Sequence, residues 1–560
     1  MTFKLTRRSL MAAMPAMASV GVLAGCGGGD GAAAVSAEDT ALKFDASTYT
    51  TVNVTLDGVA LKLRQYRRVY VAKPVKMATT LTTFNTTTLA DPYAMQTMVI
   101  SVAEALVNDQ TKPIYMVVNN AGWFASPVST TVTEGAAFVS TSDTDAMGAA
   151  LKAGYVVVNL GTRSRGARAE DGRWAGKAPA PVVDTKAAIR YLRLNDSLLP
   201  GSTSRIILTG TSGGGGLTSA VAASGNSADF LPYLAEIGAA GVSGSGSTAT
   251  STLKDDVFAA VAYCPINNLG NADAGYEWEY NATRTDSNTG ALNSVAYSAG
   301  PQVAASTAIA ASFPVYLNGL GLTREDGSAL SDANLRDATM ALVKKEIEAQ
   351  IAKGTAVPAL GANFSVSGVA YLNDWLTLAG TGTSATVASI DYAKYLAFVT
   401  KIRALKTVVA FDAVGVTGNP NISGESTLFG SDYYSYSNFT AWSWASNAVK
   451  GDGSGVDDTG LAWDAYLASS TSKLATQLKL INPMAYLNTT ADTAPYWYVR
   501  HGMIDRDTAF AMQTLLYYAI KKDASVKEVD FKYPYLVPHS GNYDVQEAFT
   551  WIKAKLAANP

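Results

Sequence analysis

The chain has 560 residues, 48% of them hydrophobic and 16% charged, with a formal net charge of −3. That composition supplies a large buried core and excludes a disordered chain. With 43 Lys and Arg set against 46 Asp and Glu, and no basic block, nothing points to a nucleic-acid partner.

Arg7 and Arg8 precede a modest apolar stretch that ends in Leu23-Ala24-Gly25-Cys26. The stretch is too short and too interrupted to span a bilayer. Twin arginine ahead of it reads as a Tat export signal over residues 1–25. The Leu-Ala-Gly-Cys run resembles a bacterial lipobox, in which Cys26 is lipidated and becomes the new N-terminus. Residues 26–43, rich in Gly and Ala, then form a flexible tether. The expectation is an exported, membrane-anchored protein in the periplasm or at the cell surface. Cys264, the other cysteine, ends an apolar run and reads as a buried, inert thiol, so no internal disulfide is expected. With only two histidines, His501 and His539, and no CxxC, no metal site and no cofactor are expected.

From Asn53 to Val71 the residues alternate as antiparallel strands do. Pro113 to Phe124 reads as a buried strand ending in a glycine-bearing turn. A helix, a strand and a polar loop follow in DTDAMGAALKAGYVVVNLGTRSRG, and a helix in PAPVVDTKAAIRYLRLN. RIILTG is the next strand, and KDDVFAAVAYCPI another. Alternating strands and helices argue for a parallel sheet covered on both faces. The alternation stops over residues 265–475 and resumes near Ala494 with APYWYVRHGMIDRDTAF. A helix over Thr508–Lys522, a strand over Val526–Tyr535 and a last helix close the chain. The predicted organisation is an α/β domain of residues 44–264 and 476–560, interrupted by an inserted lid of residues 265–475. No internal repeat is present.

Gly210-Thr211-Ser212-Gly213-Gly214 fits G-x-S-x-G, between an apolar strand and a small-residue helix. It lacks the lysine of a phosphate-binding loop, so Ser212 reads as a nucleophile. A serine needs a base. His539, past the last strand, has Asp505 and Asp507 one helix and one strand upstream, in the order serine, acid, histidine. His501 precedes both acids and reads as structural. Ser212, Asp505 and His539 are therefore the expected triad. The N–H of Gly213, with that of Gly122 or Trp123 from the early turn, is the expected oxyanion hole. Tyr276–Asn281 (YEWEYN) reads as packing rather than pocket.

The stretches AGYVVVNLGTRSRG, GKAPAPVVDTKAAIRYLRLND, GTSGGGG, AYCPINNLGNADAGYEWEYN, GESTLFG, VRHGMIDRDTAF and VPHSGNYD together resemble bacterial tannases of the Lactobacillus type. These tannin acylhydrolases have an α/β-hydrolase fold with an inserted lid. The resemblance implies a serine esterase cleaving galloyl esters, with a small aromatic ester as its partner. It also implies that the galloyl hydroxyls are held by Asp507, Glu425 and Lys406. The Lys406–Glu425 interval is lengthened by VGVTGNPNIS relative to that family. Fungal tannases and feruloyl esterases usually carry cysteines next to the serine and the histidine, where this chain has Thr211 and Pro538. Two other readings stand beside this one: an esterase for other aromatic esters such as feruloyl esters, and a non-catalytic surface lipoprotein binding aromatic ligands.

Overall fold

The computed structural model describes residues 36–83, 86–285, 302–413, 424–447 and 450–559. The expected signal peptide, Cys26 and the stretch VGVTGNPNIS lie outside the described residues. The last part of the expected tether is not free chain. Ala37–Ala41 form a helical turn capped by Ser36, and Asp39 Oδ1 accepts the Gly241 N–H at 2.8 Å. Leu42 and Phe44 are buried, because Asn195 Oδ1 fixes the Phe44 N–H at 2.8 Å. The tether expected over residues 26–43 is thus docked from residue 36 onward. Among the described residues no helix is long and apolar enough to cross a membrane.

One sheet of ten strands organises the molecule. They are β1 (Thr50–Leu56), β2 (Val59–Val69), β3 (Thr97–Ala103), β4 (Pro113–Val118), β5 (Ala137–Phe138), β6 (Val156–Leu160), β7 (Ser202–Thr211), β8 (Ala259–Tyr263), β9 (Tyr496–Arg500) and β10 (Glu528–Lys532). Their spatial order is β10-β9-β8-β7-β4-β6-β3-β2-β1-β5. From β6 through β4 and β7 to β10 every pair is parallel. The pairs β1·β2, β2·β3 and β3·β6 are antiparallel, so the sheet is mixed rather than all-parallel.

The central parallel strands are apolar throughout, as strands covered on both faces must be. Helices α1 (Ala146–Lys152) and α8 (Val545–Ala557) cover one face, where Tyr115, Val157, Ile207, Val261 and Tyr498 point. Helices α2 (Ala180–Leu194), α3 (Gly213–Ala223) and α7 (Phe510–Lys522) cover the other, over Met116, Val158, Leu208 and Ala260. Two predicted elements are shorter than expected. Helix α7 begins at Phe510, not Thr508, and β10 ends at Lys532 before Tyr533 and Pro534, because Pro534 has no N–H for a ladder.

The segment between β8 and β9 carries helices α4 (Leu269–Tyr280), α5 (Leu335–Ala352) and α6 (Tyr392–Ile402). It also carries two hairpins, Asn363–Val366 with Val369–Leu372 and Leu376–Ala379 with Thr386–Ile390. Its apolar side chains, among them Phe313, Trp375 and Phe398, join the cluster that covers the α2–α3 face. The insertion therefore shares a core with the sheet.

The register places the chemistry. Thr211 stands opposite Tyr263, Tyr263 opposite Arg500, and Arg500 opposite Lys532. The residues just beyond these strand ends, Ser212, Cys264 and His501, therefore line one edge of the sheet. It is the carboxyl edge, where parallel strands present their loops.

Candidate active site

Ser212 follows β7 in a strained turn, with φ 60° and ψ −122°. A non-glycine residue takes up such a conformation only where its surroundings hold it there. Here the Ser212 N–H donates to Tyr263 O at 2.9 Å, and its carbonyl accepts the Ile266 N–H at 3.0 Å. The flanking glycines allow the close approach. A Cβ on Gly210 would stand 2.4 Å from Gly214 O, and one on Gly213 2.2 Å from Trp123 N. Any side chain at either place would push the serine off the sheet edge.

The three residues expected to act together meet. His539 Nε2 lies 2.9 Å from Ser212 Oγ, and His539 Nδ1 lies 2.8 Å from Asp505 Oδ2. The His539 loop is clamped behind by Arg500, which pairs with Asp530 at 3.0 Å, Asp544 at 3.0 Å and Glu547 at 2.7 Å. Tyr263 and Tyr498 donate to the same Asp544 carboxylate, each at 2.7 Å.

Asp505 is fully buried. Burial alone would raise its pKa, but His539, His501 and the Asp507 N–H on Oδ1 pull it down to about 2. Burial opposes charging of His539, yet the Asp505 carboxylate prevails and holds the imidazole well above its ordinary value. His501 belongs to this cluster. Its Nδ1 lies 3.3 Å from Asp505 Oδ2 and its Nε2 3.2 Å from Asp505 O, between the rings of Phe510 and Tyr533. Burial keeps this imidazole below its ordinary pKa, so it is a neutral partner of the acid.

Cys264 is also closer to the centre than its sequence context suggests. Its Sγ lies 3.8 Å from His539 Nε2 and 3.4 Å from Ser540 O, and burial pushes the thiol above its usual pKa. Cys264, Asp505 and His539 are the one cluster of metal-ligating types among the described residues. Asp505 and His539 already bond each other there, so the donor set suits a proton relay better than an ion.

The turn over Ala121–Trp123 abuts Gly213 and has left-handed backbone at both Gly122 (φ 57°) and Trp123 (φ 59°). The Trp123 N–H donates to Asn120 O at 2.8 Å, and its indole N–H to Ile266 O at 2.8 Å. The backbone N–H of Trp123, one of the two alternatives expected for the oxyanion hole, is thus engaged within the turn. Gly213 is the first residue of α3, where a helix leaves its N–H groups without internal partners.

The three residues assigned to the aromatic acid also gather here. Asp507 Oδ2 lies 3.8 Å from His539 Nδ1. Lys406 is buried, with Nζ 4.1 Å above the Phe411 ring. Desolvation holds its ammonium below the ordinary lysine value, against the pull of Glu425 and Asp507. Glu425 opens a short 3-10 turn, Glu425–Leu428, and meets Arg165 at 3.3 Å.

Several partners here went unread in the sequence. Arg165 stacks on Phe124 at 3.8 Å, and Arg403 pairs with Asp507 at 3.0 Å beside Arg506. Two buried carboxylates set the loops that carry Lys406 and Glu425. Asp273 accepts the N–H groups of Phe411 and Asp412, at 2.8 and 2.9 Å. Asp412 in turn accepts from Ser426 Oγ and Asn438 Nδ2 at 2.9 Å, and from Phe439 N, Thr440 N and Thr440 Oγ1 at 2.8 Å. Tyr276 of the YEWEYN run is buried, and its hydroxyl accepts the Lys406 N–H at 3.2 Å. Asp412→Ala would orphan five donors at once, and unmade buried bonds cost about 1–3 kcal/mol each. A drop in urea midpoint equivalent to roughly 3 kcal/mol or more is expected.

The BD-FAE family model matches residues 108–294. A tannin acyl hydrolase from Lactobacillus plantarum is 31% identical, with 92% of this chain and 99% of that one covered at a TM-score of 0.70. A tannin acyl hydrolase solved in complex with ethyl gallate is 31% identical, covering 92% and 98% at a TM-score of 0.70. A Fusobacterium nucleatum tannase is 27% identical, covering 92% and 99% at a TM-score of 0.69. No curated protein matches the chain significantly by sequence. Identity sustained over almost the whole length of those structures settles the family: the chain belongs to the tannin acyl hydrolases and is a carboxylic ester hydrolase of the α/β-hydrolase fold.

Proposed function

We propose that the protein hydrolyses galloyl esters, in hydrolysable tannins and simple gallates, through an acyl-enzyme on Ser212. The carrying observation is the placement of Asp507 beside the relay, 3.8 Å from His539 Nδ1, with Lys406 and Glu425 on neighbouring loops. Three adjacent phenols present several donors and acceptors. Two carboxylates and an ammonium match them and would be left unpaired by a plain phenyl ring. Relatives solved with ethyl gallate and with 3,4-dihydroxybenzoate support the same reading.

In this reading His539 takes the Ser212 proton across the 2.9 Å contact while Oγ attacks the ester carbonyl. Asp505 holds the imidazole orientation and stabilises the imidazolium. The developing oxyanion turns toward the N–H groups of Gly213 and Gly122, each such donor worth about 10²–10³ in rate. His539 then protonates the leaving alcohol, and water repeats the sequence to release the acid. Methyl gallate, methyl ferulate and methyl benzoate test the acyl side. Strong preference for gallate is expected, and equal or better activity on ferulate would move the substrate to hydroxycinnamoyl esters.

The inserted segment acts as the lid that brings Lys406 and Glu425 over the site. The N-terminal Arg7-Arg8 and Cys26 pattern supports export and lipid anchoring. Cys26→Ser is expected to abolish labelling by radioactive palmitate in cells and to move the enzyme from the membrane to the soluble fraction. Unchanged membrane association would refute the anchor.

A further inference from the structure

The reaction leaves Lys177 unused. This lysine stands just ahead of α2 and is only 6% exposed. Its Nζ donates to Thr427 O at 3.0 Å and to Ser435 O at 2.9 Å, in the stretch of the insertion that opens with the Glu425 turn. An ammonium has three donors, so one is left over, and carbonyls carry no charge to offset its own. Among the described residues no carboxylate pairs with Lys177, and Asp432 acts on it only from a distance. Burial accordingly pushes its pKa down to about 7. A buried cation of this kind is stabilised by whatever brings it a counter-ion.

Beside Lys177 lies a cavity of about 650 Å³. It runs along the seam between the body that carries the sheet and the insertion. The start of α2 and the stretch Pro232–Ile237 wall one side, and Asp432 with Lys473 and Gln477 the other. The seam is held by the Trp174 N–H on Asp432 O at 2.8 Å and the Ala178 N–H on Leu428 O at 2.7 Å. Ligand sites favour such junctions. Trp174 is half-buried with its ring centre 6.0 Å from Lys177 Nζ, and Tyr233 adds a second half-buried ring to the wall.

The other charges facing the cavity have partners. Arg163 pairs with Asp184 at 2.7 Å, Lys73 with Glu38 at 3.0 Å, and Asp229 with Lys479 at 2.7 Å. Arg173 holds Asp171 at 2.8 Å and shares Asp432, at 3.9 Å, with Lys473 at 3.8 Å. Glu236 is exposed and acts on Arg163. Asp432 alone is left to offset Lys473, part of Arg173 and, at longer range, Lys177.

We propose that the seam cavity binds an aromatic carboxylate, with its carboxylate on the Lys177 ammonium and its ring against Trp174. A neutral aromatic leaves the Lys177 charge without a counter-ion, and a small inorganic anion leaves the ring wall and most of the volume empty. None of Ser212, Asp505, His539, Lys406, Glu425 and Asp507 lines the cavity, so the site is separate from the catalytic one. Aromatic carboxylates are also the acids released in the reaction proposed above, and only this link to product rests on that reading.

The test uses benzoate, which carries the charge and the ring but no phenols. In crystals of the enzyme soaked with 4-bromobenzoate, the bromine anomalous peak is expected in the seam cavity, with the carboxylate about 3 Å from Lys177 Nζ. A peak in the acyl pocket alone overturns the proposal. In titration calorimetry, the Kd of benzoate should rise about tenfold or more in Lys177→Met and no more than about twofold in Lys406→Met. Benzamide, which keeps the ring and loses the charge, should bind the wild type at least about tenfold more weakly than benzoate. Titrations in two buffers of different protonation heat should show uptake of about half a proton at pH 7 and more at pH 8, because the bound anion restores the Lys177 charge. That uptake should vanish in Lys177→Met. Equal affinity in Lys177→Met and wild type, equal affinity for benzamide and benzoate, or no proton uptake overturns the site. The bromine position, the benzamide comparison and the proton uptake need only the wild type, so they decide the matter even where Lys177→Met does not fold. If gallates are not cleaved but benzoate binds as stated, the acyl reading fails and the site stands. If gallates are cleaved and benzoate ignores Lys177, the site fails alone.

Discussion

Ser212→Ala is expected to lower kcat on any ester by about 10⁵–10⁶ and to abolish labelling by a fluorophosphonate probe, with an unchanged fold. The serine sits at an elbow whose backbone is fixed by Tyr263 O and the Ile266 N–H, so losing Oγ removes the nucleophile and little else. Asp505→Asn keeps the shape and loses the charge that orients His539, for about 10⁴ in kcat. A folded Ser212→Ala protein that still turned over esters would refute the assignment of the nucleophile.

The Asp505 variant carries a second signature in pH. The base works as neutral imidazole, and Asp505 holds His539 above its ordinary pKa. The acid limb of wild-type kcat/KM is therefore expected above about pH 6.5, the unperturbed histidine value. With the carboxylate gone, burial dominates and His539 loses its proton more readily, so the limb should move to lower pH. The same pairing governs stability. Asp505 has a folded pKa of about 2, below its unfolded value, so its contribution is present above about pH 4 and is lost as pH falls toward 2. His539, raised on folding, contributes below about pH 6.5, and its share fades as pH rises through its folded value.

The parts of this site legible in sequence are those encoded by short-range necessity. Gly210 and Gly213 announce the elbow because neighbouring backbone leaves no room for a Cβ. The order Ser212, Asp505, His539 follows from loops at one sheet edge, which strand–helix alternation already implied. Partners chosen by tertiary contact were not legible. Asp273 reaches Asp412 across 139 residues, and nothing near either position marks it as the anchor of the Lys406 loop. His501 looked structural because it precedes the acids. Yet β9 ends beside β10, and the turn after it folds Asp505 back onto the His501 ring. Trp123 was an equal candidate with Gly122 until the turn geometry showed its N–H bonded to Asn120.

Asp507→Asn is expected to separate recognition from chemistry. The substitution keeps volume and one acceptor oxygen, but removes the negative charge that Arg403 and Arg506 flank. A charge-assisted hydrogen bond is worth about 1.5–3 kcal/mol, so kcat/KM on methyl gallate should fall roughly ten- to hundredfold. Hydrolysis of p-nitrophenyl acetate, which offers no phenols to the pocket, should fall about twofold or less. Lys406→Met should behave alike, because in the proposed reading its buried ammonium, within electrostatic reach of Glu425 and Asp507, holds the same galloyl hydroxyls. Wild-type discrimination between methyl gallate and methyl benzoate should reach about 10⁴, since a pocket built for hydroxyls leaves its own polar groups unpaired on benzoate. The opposite pattern, acetate hydrolysis abolished by Asp507→Asn and spared by Asp505→Asn, would exchange the two roles. Asp507 Oδ2 approaches His539 Nδ1 only to 3.8 Å while Asp505 Oδ2 stands at 2.8 Å, so the geometry favours Asp505 as the acid of the relay, and the proposed reading keeps Asp507 for the ring.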